Sequence, residues 1–204
     1  MFQSIGGPAV LMFAGALISA FGAIWAANQQ SNSEKILRAK SDEIASLNKQ
    51  IANSITGGDS FAYITPTFMK DTSPYLTLVH EGEHSLYDLG VRIVDLDIFE
   101  KMIAEGYTYE DMQKNETHLD IGNLSSKQAR MLGPIKIGDS GAKLNLFFAA
   151  RNGFFTESLR IQKVSGEWKV AIKVENTPTS DEVKVLYERT DEGFPLNQEG
   201  EVEW

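Results

Sequence analysis

Leu144 to Glu175, LNLFFAARNGFFTESLRIQKVSGEWKVAIKVE, carries the clearest structural statement in this chain. Three runs, Leu144–Ala150, Phe154–Val164 and Glu167–Glu175, combine alternation with β-branched and aromatic residues. Arg151-Asn152-Gly153 separates the first two, and Asn-Gly accepts the positive φ of a tight hairpin. Ser165-Gly166 separates the second and third. The reading is a three-strand meander, with Trp168 and the group Phe147, Phe154 and Phe155 supplying core area.

Working outward, Ser60–Met69, Tyr75–His80 and Leu86–Asp97 show the same texture, with breakers between them. A short helix is expected around Phe99–Ile103, and Val183–Arg189 reads as one more strand. Eight or nine short strands with little helix describe a mainly β domain of β-sandwich type.

Upstream the composition changes. Asn28–Ile55 is polar and free of Pro and Gly, a helix ended by Thr56-Gly57-Gly58-Asp59. Leu37, Ile44 and Ile51 repeat every seven residues, with Leu47 three after Ile44. This is a gapped coiled-coil seam, or the face a single stalk helix lays on its own domain.

Before it, Ile5–Ala27 carries no charge over 23 residues. As a helix that run reaches about 34 Å, enough for a hydrocarbon core of about 30 Å. A cleaved signal peptide would have a basic start and a shorter apolar run, and Met-Phe-Gln-Ser has no Lys or Arg. The expectation is a retained single span. Lys35, Arg38 and Lys40 follow it and none precedes, so the positive-inside rule places the C-terminal part in the cytoplasm; a domain outside the cytoplasm is the rival. Gly15, Ser19, Gly22 and Ala26 form a small-residue ridge that lets two helices approach. With Leu37, Ile44, Leu47 and Ile51 they are the candidate oligomerisation residues of a homo-oligomer built through span and stalk.

The expected organisation is an N-terminal tail (1–4), a transmembrane helix (5–27), a stalk or coiled-coil helix (28–57), a β-sandwich (58–176) and a final strand with an acidic tail (177–204). From Asn176 to Trp204 there are eight acids and two bases, a net of −6 out of −9 for the whole chain. That end reads as solvated and partly disordered, or as a docking segment for a basic partner with Trp204 as its apolar anchor.

The charge balance, 19 Lys and Arg against 28 Asp and Glu, argues against nucleic acid as partner. The absence of cysteine excludes disulfides, thiolate metal sites and a thiol nucleophile. His80-Glu81-Gly82-Glu83-His84 matches H-E-x-x-H, the zinc-peptidase spacing, with His118 the remaining histidine. That chemistry needs both histidines on one helix face, whereas this pentapeptide lies between strands and has Gly at its centre. Gly138-Asp139-Ser140-Gly141 and Gly58-Asp59-Ser60 resemble hydrolase nucleophile loops but lack the surrounding architecture. The expectation is no enzyme, no catalytic residues, no metal and no cofactor.

Two resemblances bear on the architecture. Leu76–Asp95 resembles the strand–turn–strand of bacterial immunoglobulin-like domains, with His80 where Asn is usual and Ser85 where Pro is usual. Thr56–Tyr63, Ala150–Phe155 and Gly166–Trp168 are similar to segments of uncharacterised bacterial single-pass membrane proteins with one span, a short helix and a β-rich domain. They imply an inner-membrane protein with an immunoglobulin-like sandwich, and no activity. The functional expectation is a non-enzymatic, membrane-anchored interaction or envelope-associated module with an unknown protein partner. The alternatives are a tethered zinc hydrolase using His80, Glu81 and His84, or a carbohydrate- or peptide-binding sandwich using Tyr63, Tyr75, Tyr87, Tyr107 and Tyr109.

Overall fold

The structure, a computed structural model, describes residues 7–68, 73–108, 110–111, 116–177 and 183–204, without the side chains of Pro8 and Ala9. The expected tail at 1–4, the start of the span at Ile5, and Met69 and Tyr109 lie outside the described residues. The chain divides into two units, Met1–Ile51 and Ala52–Trp204.

The first unit is helical. Helix α1 runs unbroken over Gly7–Thr56, so the apolar run and the polar run that follows it belong to one helix. The helix contains a stretch long and apolar enough to cross a membrane. Its side chains from Val10 to Ala52 are all exposed. The last turn of α1 falls in the second unit. There Gly57, at φ 109°, donates its N–H to the Asn53 carbonyl at 2.8 Å, and Gly58 follows at φ 55°. Two glycines in the left-handed region stop the helix where a side chain would be strained.

The second unit is mainly β. The strands are β1 (Phe61–Thr67), β2 (Tyr75–Glu81), β3 (Leu86–Asp95), β4 (Glu116–Leu124), β5 (Ala129–Pro134), β6 (Gly141–Ala150), β7 (Gly153–Val164), β8 (Glu167–Asn176) and β9 (Val185–Thr190), with helix α2 (Leu96–Glu105) after β3. They form a three-stranded sheet, β1-β2-β5, and a six-stranded sheet, β4-β3-β6-β7-β8-β9, antiparallel throughout. The chain therefore changes sheet between β2 and β3, between β4 and β5, and between β5 and β6. Ala62, Ile64, Leu76 and Leu78 of the small sheet join one core with Val91, Leu146, Phe148, Leu159 and Ile172 of the large one.

The meander β6–β7–β8 closes through Ser165 and Gly166, both at positive φ. This is the backbone of a two-residue hairpin whose twist matches that of its strands. Asp95 caps α2 by accepting the Ile98 N–H at 3.1 Å.

One expectation needs correction. Of the aromatic group assigned to the core, Phe155 is buried but Phe154 is 64% exposed, and Phe147 lies under the Arg92 guanidinium on the opposite face from the core. The strand period of two decides this: Phe148 and Phe155 are cross-strand partners that face inward and stack at 4.8 Å, so Phe147 and Phe154 must face outward. The described part of the acidic tail is mostly exposed, as expected of a solvated end, but it is anchored to the sheet rather than free. After β9, Asp191 pairs with Val170 through both backbone and side chain, Phe194 is buried, and Trp204 comes within 5.9 Å of the Lys173 ammonium. Phe194 is buried and Trp204 half-buried while Leu196 stays exposed, and apart from Asp191 the acids of this segment face water, an arrangement that a net charge does not reveal.

Candidate functional site

His80 ends the inward-facing alternation of β2 and is 3% exposed. Its Nε2 donates to the His84 carbonyl at 2.8 Å, and its Nδ1 accepts the Lys127 backbone N–H at 3.2 Å. Its own backbone N–H donates to the Gln128 carbonyl. His84 lies in the β2–β3 crossover and Lys127 in the β4–β5 crossover. One imidazole therefore clasps two of the places where the chain passes between sheets. Both ring nitrogens are used, which defines the neutral tautomer with the proton on Nε2 and leaves no lone pair for a metal.

Gly82 makes the clasp possible. At φ 113°, a Cβ there would stand 2.5 Å from Ser60 Oγ, the atom that accepts the His84 N–H. The H-E-x-x-H spacing is thus met by a turn that needs glycine at its centre. His118, on β4, is beside Glu116 at 3.3 Å. Among the described residues no three His, Asp or Glu side chains come together as a metal site.

The two GDS segments are also turns. Gly138 and Gly141 exchange backbone hydrogen bonds and lead into β6. Gly58 and Ser60 offer their carbonyls to the Asn152 amide, at 2.9 and 2.7 Å. Beside them Arg151 holds the Asp88 carboxylate through Nε and Nη2, reaches the Ile55 carbonyl with Nη1 and covers Tyr87. A cation on a C-terminal carbonyl complements the end of a helix.

Of the aromatic residues considered for sugar stacking, Tyr63, Tyr87 and Tyr107 are each engaged with a different partner. Tyr63 is buried and stacked on Tyr187 at 4.5 Å, and burial, with its hydrogen bond to Tyr187, pushes its phenol up to about 12. Tyr87 lies under Arg151, and Tyr107 tilts against Phe99.

The candidate oligomerisation residues are all exposed along α1. A Cβ added at Gly15 or Gly22 meets nothing, and Ser19 bonds back to the Gly15 carbonyl at 2.9 Å. Ala26, Leu37, Ile44, Leu47 and Ile51 present their side chains outward in the same way. Large apolar groups surround the helix rather than forming one stripe: Leu11, Met12, Phe13, Ile18, Phe21 and Trp25 are each more than two-thirds exposed. A helix that is apolar all round needs a non-aqueous surrounding.

Two charged residues of β7 escaped the sequence reading. Glu157 is fully buried; its Oε2 accepts the Ile64 N–H at 2.7 Å, and its Oε1 has no partner among the described residues. Desolvation pushes its pKa well above the usual carboxylate range, against the opposing hydrogen bond from Ile64. Its phase in the alternation, shared with Phe155, Leu159 and Ile161, was a usable signal. Arg160 lies in the opposite phase and is only 3% exposed, because the C-terminal residues cover it. No local pattern marks it.

Comparison of the chain with protein-family models, with curated proteins and with solved structures finds no match.

Proposed function

We propose that this chain is a non-enzymatic, single-pass bacterial inner-membrane protein whose β domain acts as an interaction module. The observation that carries the reading is the fully exposed apolar surface of α1 over a length sufficient for lipid. Residues 28–56 of the same helix then serve as the stalk, and Lys35, Arg38 and Lys40 favour a cytoplasmic domain. The ridge Gly15, Ser19, Gly22 and Ala26, with the seam Leu37, Ile44, Leu47 and Ile51, is the surface for a second copy. The use of the HEGEH histidine as a clasp supports a structural rather than a zinc-dependent role for that segment.

The domain reads as a two-layer sandwich, supported by β1 packing on β7 and β8. An immunoglobulin-like wiring has the two layers in its favour, but four consecutive strands, β6 to β9, lie side by side in one sheet, which is a meander rather than a Greek key. A topology reporter fused after Trp204, with carbonate extraction of membranes, tests the reading. Release of the protein into the soluble fraction would overturn it. Alanine scanning of exposed loops against co-purified proteins then tests the interaction role, which fails if no substitution alters any partner.

A further inference from the structure

Lys143 on β6 and Arg160 on β7 are direct cross-strand partners on the face of the large sheet away from the core. Like charges in that relationship repel and normally destabilise a sheet. Here the pair is kept, and one member is 97% buried by the rest of the chain. Burial of a guanidinium is tolerated when a carboxylate pairs with it. Among the described residues, none does so within ion-pair distance. Arg160 donates instead to neutral acceptors: Nε to the Glu203 carbonyl at 3.1 Å, and Nη1 to the carbonyls of Leu144 and Leu159 and to Asn145 Oδ1. Nη2 makes no hydrogen bond within the described residues.

Arg160 and Lys143 also line a cavity of about 130 Å³, together with Gln162, the turn from Phe194 to Asn197 and Glu203, whose carboxylate is the one acidic group in the wall. That volume accommodates one carboxylate or phosphate group. The carboxylates whose field reaches Arg160 are those of Glu203 and Asp97. Glu203 is 78% exposed and touches Lys143 only at 3.5 Å, so it shields the two cations weakly.

We propose that Lys143 and Arg160, with the small cavity they line, form a binding site for a single oxyanion group, a carboxylate or a phosphate, for which the Glu203 side chain is a weak internal substitute. A planar guanidinium beside a mobile ammonium is a matched donor set for such a group. The site is local: it exists in a chain of net charge −9, and it does not depend on the membrane reading.

The test is calorimetric titration of the full chain in detergent with sodium phosphate and, separately, sodium acetate, at constant ionic strength against chloride. Saturable binding of one equivalent is expected. Phosphate alone identifies a phosphate site, and acetate alone a carboxylate site. Lys143→Gln weakens the binding about tenfold, by loss of one charge-assisted hydrogen bond. Glu203→Gln tightens it about threefold, by loss of a screened competing charge. Both side chains are partly or largely exposed, so the variants fold even where Arg160→Gln does not. Absence of saturable binding with either salt, or binding that both variants leave unchanged, overturns the proposal.

Discussion

Glu157 Oε2 accepts the Ile64 backbone N–H at 2.7 Å, so a carboxyl from the middle of the large sheet closes the open edge of the small one. Among the described residues β1 pairs only with β2, and its other edge would otherwise present a buried, unpaired donor. The cost is a fully buried carboxyl whose second oxygen has no partner among the described residues. Its raised pKa means that folding takes up a proton once the solution pH exceeds the ordinary carboxylate range. The folded state binds the proton more tightly than the unfolded state. The contribution of this group to stability is therefore full at acid pH and is lost as pH rises toward the folded pKa.

Glu157→Gln keeps an acceptor for Ile64 and removes the ionisation. Denaturant titrations at pH 5 and pH 8 should show the variant gaining on the parent chain at the higher pH. Equal differences at both values would show that Glu157 is ionised in the folded protein or exchanges freely with water.

The His80 clasp separates the two histidines of the H-E-x-x-H segment. His80→Ala removes a buried ring that satisfies the His84 carbonyl and the Lys127 N–H, and should cost about 2–3 kcal/mol. His84→Ala leaves the backbone groups in place and should cost about 0.5 kcal/mol or less. A zinc site would lose bound metal in both variants. Elemental analysis of the parent chain and of both variants, beside thermal unfolding, distinguishes the cases.

Gly141 opens β6 at φ 144°, and a Cβ there would fall on the Ile161 carbonyl oxygen of β7. Gly141→Ala should destabilise by about 2–4 kcal/mol, since backbone rather than a flexible side chain must move. Gly153→Ala, at φ 135° with open space around the site, should cost less, about 1 kcal/mol. Equal losses in chemical denaturation would mean that the β6–β7 edge relaxes without cost.

The C-terminal segment belongs to the folded unit. Phe194→Ala should lower stability by about 2–3 kcal/mol, because the ring is 7% exposed. If it changed stability by less than about 0.5 kcal/mol, a value typical of exposed positions, the segment would be a loose tail after all.

Deletion of residues 5–27 should move the protein from the membrane pellet to the supernatant while leaving the near-ultraviolet circular dichroism of the domain unchanged. The aromatic contacts Tyr63–Tyr187, Phe68–Trp168 and Phe148–Phe155 all lie in the second unit. A truncated protein still found in the pellet would remove the basis for the anchor.

Local chemistry was enough to read much of the chain. The uncharged run before Asn28, the glycine stop after Thr56, the Ser165-Gly166 hairpin and the alternation of β6 to β8 depend on neighbours a few residues apart, so composition and period reveal them. Strands β4 and β5 were harder, because ETHLDIGNL and ARMLGP carry polar residues and glycine; they are strands because β3 and β2 supply the hydrogen bonds. Tertiary structure alone decided that His80 clasps two crossovers, that Glu157 ties two sheets, and that residues 191–204 fold back over Arg160. Each of these joins groups far apart in the chain, or a backbone atom whose availability depends on which edge of which sheet it occupies. The distant pairings, His80 with Lys127, Glu157 with Ile64 and Arg160 with Glu203, have no window along the sequence that contains both partners, and the near one, His80 with the His84 carbonyl, depends on the backbone path between the sheets.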